Sequence, residues 1–172
     1  MNKFFTLIAF MALSISSLFA QNATRAVGDK SFDIGVGFKT VSAGFSTSIP
    51  PIDASFEYTI LDFEKTGTLS VGGLVSFGMQ KYSNVPFSFM FAGPLACYRF
   101  PIINDLDLFG KFAVGYYSFS TSDGMYRDYL SSSGFSWAAY VGATYYFSDK
   151  FGIGFQIGNG VSTAELHLTI RL

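Results

Sequence analysis

Residues 164–172 read AELHLTIRL. Ala164, Leu166, Leu168, Ile170 and Leu172 alternate with Glu165, His167, Thr169 and Arg171. A period of two is the period of a β-strand, so one face of this segment is apolar and the other carries charge. Working back toward the N-terminus, the same alternation recurs as far as Ser31, in stretches separated by turn residues.

Eight stretches are predicted as strands. Residues 32–41 set Phe32, Ile34, Val36 and Phe38 against Asp33, Gly35, Gly37 and Lys39. Residues 52–61 follow a break expected at Pro50 and Pro51, and set Ile52, Phe56, Tyr58 and Ile60 against Asp53, Ser55, Glu57 and Thr59. Residues 68–79 form the third strand. The fourth, residues 87–100, groups Phe87, Phe89, Phe91, Leu95 and Cys97 on its bulky face. Pro94 offers no ladder donor there, so a bulge or fraying is expected. The fifth, residues 106–119, sets Leu108, Phe112, Val114 and Tyr116 against Asp107, Lys111, Gly115 and Tyr117. Residues 134–147, 151–158 and 163–172 complete the series. Together these spans take up about 60% of residues 21–172, against roughly 20–25% strand in an average globular protein.

The first twenty residues carry the marks of an export signal: Lys3, an apolar stretch over residues 4–13, and small residues leading to a cut after Ala20. Residues 21–30 read as a polar lead-in, expected to be mobile from Ala23 to Lys30, and residues 31–172 as one barrel domain. Without the signal, 10 Lys and Arg face 12 Asp and Glu, a net charge of −2. No basic tract points to nucleic acid. Cys97 is the sole cysteine and has no intramolecular partner.

Aromatic residues make up 19% of the chain and charged ones 13%, well under the roughly 25% charge of a soluble domain. Beyond the signal there is no apolar run near 18 residues, the length of a membrane-spanning helix. Helices and closed barrels are the two structures that satisfy every backbone polar group in lipid. The fold class expected is therefore all-β: an eight-stranded antiparallel up-and-down transmembrane β-barrel behind a cleaved signal peptide.

The two faces decide which side meets lipid. Besides a few charges, the polar face carries mainly Gly, Ser, Thr, Ala and Tyr, unlike a water-exposed surface. Small residues suit the cramped interior of an eight-stranded barrel, and the bulky Phe, Ile, Val and Leu face suits lipid. Tyr58, Tyr116, Trp137 and Tyr145 are assigned to interfacial girdles. Short turns at residues 62–67, 101–105 and 148–150 join both termini at the periplasmic end. Loops at residues 42–51, 80–86, 120–133 and 159–162 face out of the cell.

On these features the chain resembles the small outer-membrane β-barrel proteins of Gram-negative bacteria, over essentially all of residues 31–172. Its Phe- and Tyr-rich style is similar to barrels of the Bacteroidetes type. Leu172 stands where many members end in Phe. The resemblance implies a bacterial outer-membrane location and outer-membrane lipid as the surrounding partner.

Charges on the lumenal face need partners. Asp33–Arg171 and Lys39–Glu165 are predicted to pair across the closing seam, and Glu57–Lys111 across the lumen. Structural plugging is the expected role, with a charge-swapping gate as the sharper alternative. Leu74, Met90, Phe109 and Tyr117 are expected to give the lumen a partly apolar lining. His167 is read as a lumenal hydrogen-bonding residue. It lies about 7 Å along one strand face from Glu165, with no glycine-framed serine nearby, so no catalytic site is assigned. One histidine without a nearby cysteine supplies no typical metal set, and no cofactor is implied.

The loop at residues 120–133 holds Met125, Tyr126, Arg127, Tyr129 and Leu130, a contact-prone set for an extracellular protein or host-surface ligand. The function expected is a monomeric, non-enzymatic barrel with a structural or surface-interaction role. The alternatives are a narrow, porin-like passage for small or hydrophobic molecules and, after that, a lipid-modifying outer-membrane enzyme.

Overall fold

The structure, a computed structural model, describes residues 25–38, 45–63, 66–82, 85–103, 105–121 and 131–172. The export signal, Lys39 and the loop residues Met125, Tyr126, Arg127, Tyr129 and Leu130 lie outside them.

The alternating segments form eight strands: β1 (Lys30–Phe38), β2 (Phe45–Asp62), β3 (Thr68–Tyr82), β4 (Val85–Ile103), β5 (Leu106–Thr121), β6 (Ser132–Tyr146), β7 (Phe151–Asn159) and β8 (Ala164–Arg171). Each pairs with its sequence neighbour, and β1 pairs with β8, closing an antiparallel up-and-down barrel. The seam runs from Ser31 opposite Arg171 to Phe38 opposite Ala164. Closure removes both sheet edges over this stretch, so the backbone of β1 and β8 is hydrogen-bonded on both sides.

Short turns gather at one end. Phe63 N donates to Gly67 O at 2.9 Å, and Phe151 N donates to Ser148 Oγ at 3.0 Å. Gly67 has φ +132°, and a Cβ there would collide with the Arg99 carbonyl, so the turn needs glycine. The β1–β2, β3–β4, β5–β6 and β7–β8 connections lie at the opposite, loop end.

Several sequence expectations are corrected. Pro50 and Pro51 do not break β2. The strand runs through them, and its register with β3 shifts between Thr47, Ile49 and Ile52. A bulge absorbs the donors that proline lacks. At Pro94 the expected fraying is confined to one side: the residue lies in unbroken register with β3, opposite Gly73, while the β5 pairing lapses at Gly93 and Pro94, and the β4–β5 register shifts at Pro101/Ile103. The lead-in is ordered from Arg25 onward: Gly28 N donates to Thr59 O, and Thr59 N to Asp29 O, each at 2.9 Å.

The face of β4 is also reversed. Phe87, Phe89, Phe91, Leu95 and Cys97 point into the barrel, each 4% exposed or less, while Met90 points outward at 45%. Both faces of β4 are apolar enough to meet lipid, so hydrophobicity does not choose between them. Arg99 does. It shares the parity of Phe91 and Cys97, and an arginine is far costlier in lipid than a phenylalanine in a lumen.

The barrel is thus apolar outside and mixed inside. Phe112, Val75 and Ile153 are half-exposed on the outer wall. Leu74, Phe89, Phe91, Leu95, Ala113, Ala138, Tyr140 and Val161 cluster inside, with Tyr117 and Phe119 against them. Nearer the turn end the interior becomes charged.

The lumenal charge cluster as candidate functional site

Arg99 is the hub of the charged layer, only 1% exposed. It projects from β4, and its target Glu57 projects from β2, with β3 between them. The inward residues of β3 at this level are Gly72, Ser70 and Thr68, so the guanidinium passes over small side chains. Arg99 Nε donates to Glu57 Oε2 at 3.0 Å, and Nη2 to Glu57 Oε1 at 2.9 Å, a bidentate fork. Nη2 also lies 3.3 Å from Asp33 Oδ2.

Lys111 of β5 completes the group. Its Nζ donates to Asp33 Oδ2, lies 3.2 Å from Glu57 Oε1, and reaches Ser55 Oγ at 3.4 Å. Arg25 enters from the ordered lead-in: Nη1 donates to Ser31 Oγ at 2.7 Å, Nη2 donates to the Tyr146 hydroxyl at 2.9 Å, and Glu57 Oε2 lies 3.6 Å away. Three cations therefore share two carboxylates in a water-poor interior, where each group depends on the others. Arg99 and Lys111 each lie 5.0 Å from the Phe109 ring centroid, whose electron-rich face adds attraction.

The sequence pairs resolve differently. Glu57 and Lys111 do meet. Asp33 and Arg171 do not: the register sets Asp33 opposite Thr169 and Arg171 opposite Ser31. Asp33 is taken by Arg99 and Lys111, whereas Arg171 turns toward the other wall. Its guanidinium stacks 3.8 Å over the Tyr146 ring and lies 4.0 Å from Asp107 Oδ2. Lys39 lies outside the described residues. Glu165 sits opposite Gly37 and contacts Ser162. His167 Nε2 is 3.1 Å from Thr144 Oγ1, and its ring meets Phe109 edge-on at 5.5 Å. Among the described residues, no three of His, Cys, Asp and Glu group in metal-holding reach.

Tyr58, Tyr116 and Trp137 stand on the outer face, 39%, 50% and 52% exposed, and Tyr145 is half-buried on the same face. Tyr58 and Tyr145 lie toward the turn end, Tyr116 and Trp137 toward the loop end. Ten residues of β5 separate Leu106, opposite Tyr145, from Tyr116. At about 3.4 Å per residue and a tilt of about 40°, this spans about 26 Å, close to the roughly 25 Å band of a membrane barrel.

Sequence reasoning missed Arg99 and Arg25. Arg99 was legible through its parity with Phe91 and Cys97. Arg25 carries no such signal, because a short polar lead-in has no period.

Fold and interior together define a class: a closed eight-stranded barrel, apolar outside, with ion pairs buried in its lumen. The chain matches no family model and no curated protein. Among solved structures it is similar to Ail, the attachment invasion locus protein of Yersinia pestis, with a TM-score of 0.50 at 14% identity over 85% of this chain and 96% of that one. A second match is Ail in complex with the heparin analogue sucrose octasulfate, with a TM-score of 0.48, 15% identity, and 85% and 96% of the two chains covered. A third is the N-terminal β-barrel domain of Pseudomonas aeruginosa OprF, with a TM-score of 0.48, 13% identity, and 86% and 100% covered. The likeness is one of fold.

Proposed function

We propose that this chain is a non-enzymatic β-barrel of the bacterial outer membrane, acting through its loop end in surface interaction. The lipid reading is supported by the inverted distribution of polarity. Phe112, Val75 and Trp137 stand out on the wall while Asp33, Glu57, Arg99 and Lys111 are each at most 5% exposed inside. Water outside would leave this wall unsolvated, and lipid would not.

The single observation that carries the interaction role is the unequal height of the wall. Strands β2 to β6 run 15–19 residues, whereas β7 and β8 run 9 and 8. The β6–β7 register stops at Ala139 opposite Asn159. Among the described residues, 132–138 of β6 therefore pair with β5 and with no strand on the other side, an edge standing above the shorter wall. Such an edge can accept an added strand from a partner. Phe135, 94% exposed, stands on it. The contact-prone residues Met125, Tyr126, Arg127, Tyr129 and Leu130 immediately precede this edge in the chain. The partner class is an extracellular protein or host-surface ligand, and the barrel acts as a monomeric support.

The packed lumen favours support over passage. The test is adhesion of cells displaying the barrel to surfaces coated with extracellular-matrix protein or heparin. Deleting residues 125–130, or replacing Phe135→Glu, is expected to reduce adhesion at unchanged surface amount. Unchanged adhesion in both variants would remove the interaction role.

A further inference from the structure

Two buried carboxylates stand apart from the charge cluster. Asp53 on β2 and Glu165 on β8 are each 3% exposed. Neither enters any of the lumenal ion pairs among the described residues. They meet over β1, which lies between their strands: Gly35 is opposite Asp53, and Gly37 is opposite Glu165. A Cβ at Gly35 would collide with the Glu165 carboxyl, and one at Gly37 with the Ser162 side chain. The two glycines therefore create the space in which both acids converge on one hydroxyl. Ser162 Oγ lies 3.1 Å from Asp53 Oδ2 and 3.1 Å from Glu165 Oε2. A serine hydroxyl has one proton, so it serves one carboxylate at a time.

Unpartnered oxygens surround this pair. Gln156 is opposite Glu165 on β7 and 3% exposed, and its Oε1 has no hydrogen-bond partner. The Tyr140 hydroxyl, on a side chain 3% exposed, abuts Gly160, two residues before Ser162. Asp53 Oδ1, like Gln156 Oε1, has no hydrogen-bond partner. Buried acceptors without donors are costly, and here they flank two facing carboxyl groups. A hard cation is one guest that satisfies these oxygens and bridges the two acids at once.

We propose that Asp53, Glu165, Ser162, Gln156 and Tyr140 form a lumenal binding site for a hard divalent cation, calcium foremost. Two carboxylates balance a double charge, and the remaining donors are neutral oxygens, the set that hard cations take. Nitrogen and sulfur ligands, which the transition metals favour, are absent from this donor set. Gly160 and Val161, next to Ser162, line a cavity of about 220 Å³ on the loop-end side of the site. The bound ion would tie β2, β7 and β8 across the closing seam.

The test uses the folded barrel in detergent micelles, stripped with a chelator and titrated with calcium chloride in a calorimeter. Saturation at one calcium per chain is expected. Asp53→Asn and Glu165→Gln should each weaken binding about tenfold or more, whereas Asp149→Asn, in the turn-end loop, should not. Heat-dependent gel mobility checks that each variant folds, and two independent variants guard against one failing to do so. No saturable binding by the parent protein would overturn the site, as would equal binding by both amide variants. Binding that appears only after Lys39→Met would overturn it too, because Lys39 would then be the counter-charge.

Discussion

Arg99 holds the two acids of the lumen in one arrangement. Its fork on Glu57 and its contact with Asp33 are all buried, so removing it strands charge rather than exposing it to water. Arg99→Met is expected to destabilise the barrel by about 3–5 kcal/mol, the cost of breaking a buried pair from one side. Arg99→Met with Glu57→Leu should recover part of that loss, since neither charge is then left alone. Denaturant unfolding in micelles, followed by intrinsic fluorescence, measures both. If the single variant is as stable as the parent, Lys111 and Arg25 already suffice for Glu57. Which charged residues face inward was legible from parity alone, as Asp33, Glu57 and Lys111 show. Their partners were not. Partner choice depends on stagger, and the seam register sets Asp33 two residues deeper than the level of Arg171. It also depends on which intervening strand carries small residues, a property of three strands at once.

The strands with one bulky and one small face were read correctly from the sequence, because a period of two with unequal faces leaves one orientation. β4 has two apolar faces, and only Arg99 breaks the tie. β2 carries two adjacent prolines, which read locally as a stop, yet its pairing with β3 before and after them keeps the strand going through a bulge. The outward face of β5 offers a direct check of orientation. Phe112 lies midway between the Tyr145 and Tyr116 levels, 52% exposed, and opposite Ala96 on β4 and Ala139 on β6. Phe112→Arg is expected to cost about 2–4 kcal/mol in a lipid bilayer, the penalty of an arginine near the midplane of a barrel wall. Measured in short-chain lipid vesicles, a loss below about 0.5 kcal/mol would place that face in water, where surface substitutions are near neutral.

At the scale of the molecule, the lumen has two fillings in series. The charged layer of Arg25, Asp33, Glu57, Arg99 and Lys111 lies toward the turn end, and the apolar layer of Phe89, Phe91, Leu95 and Tyr140 toward the loop end. Eight strands leave an interior about as wide as side chains can fill, so either layer alone is expected to stop ions. Opening one layer should therefore change little. Glu57→Ala with Lys111→Ala removes one charge of each sign and leaves the aromatic layer, while Phe89→Ala with Phe91→Ala thins the aromatic layer and leaves the ion pairs. In planar bilayers, each double variant is expected to conduct no more than the parent, and the fourfold variant to conduct measurably more. The non-additivity is the diagnostic, because two barriers in series transmit only when both are lowered. If Glu57→Ala with Lys111→Ala alone opens steady conductance, the aromatic layer does not seal, and the charge cluster is a gate rather than part of a plug.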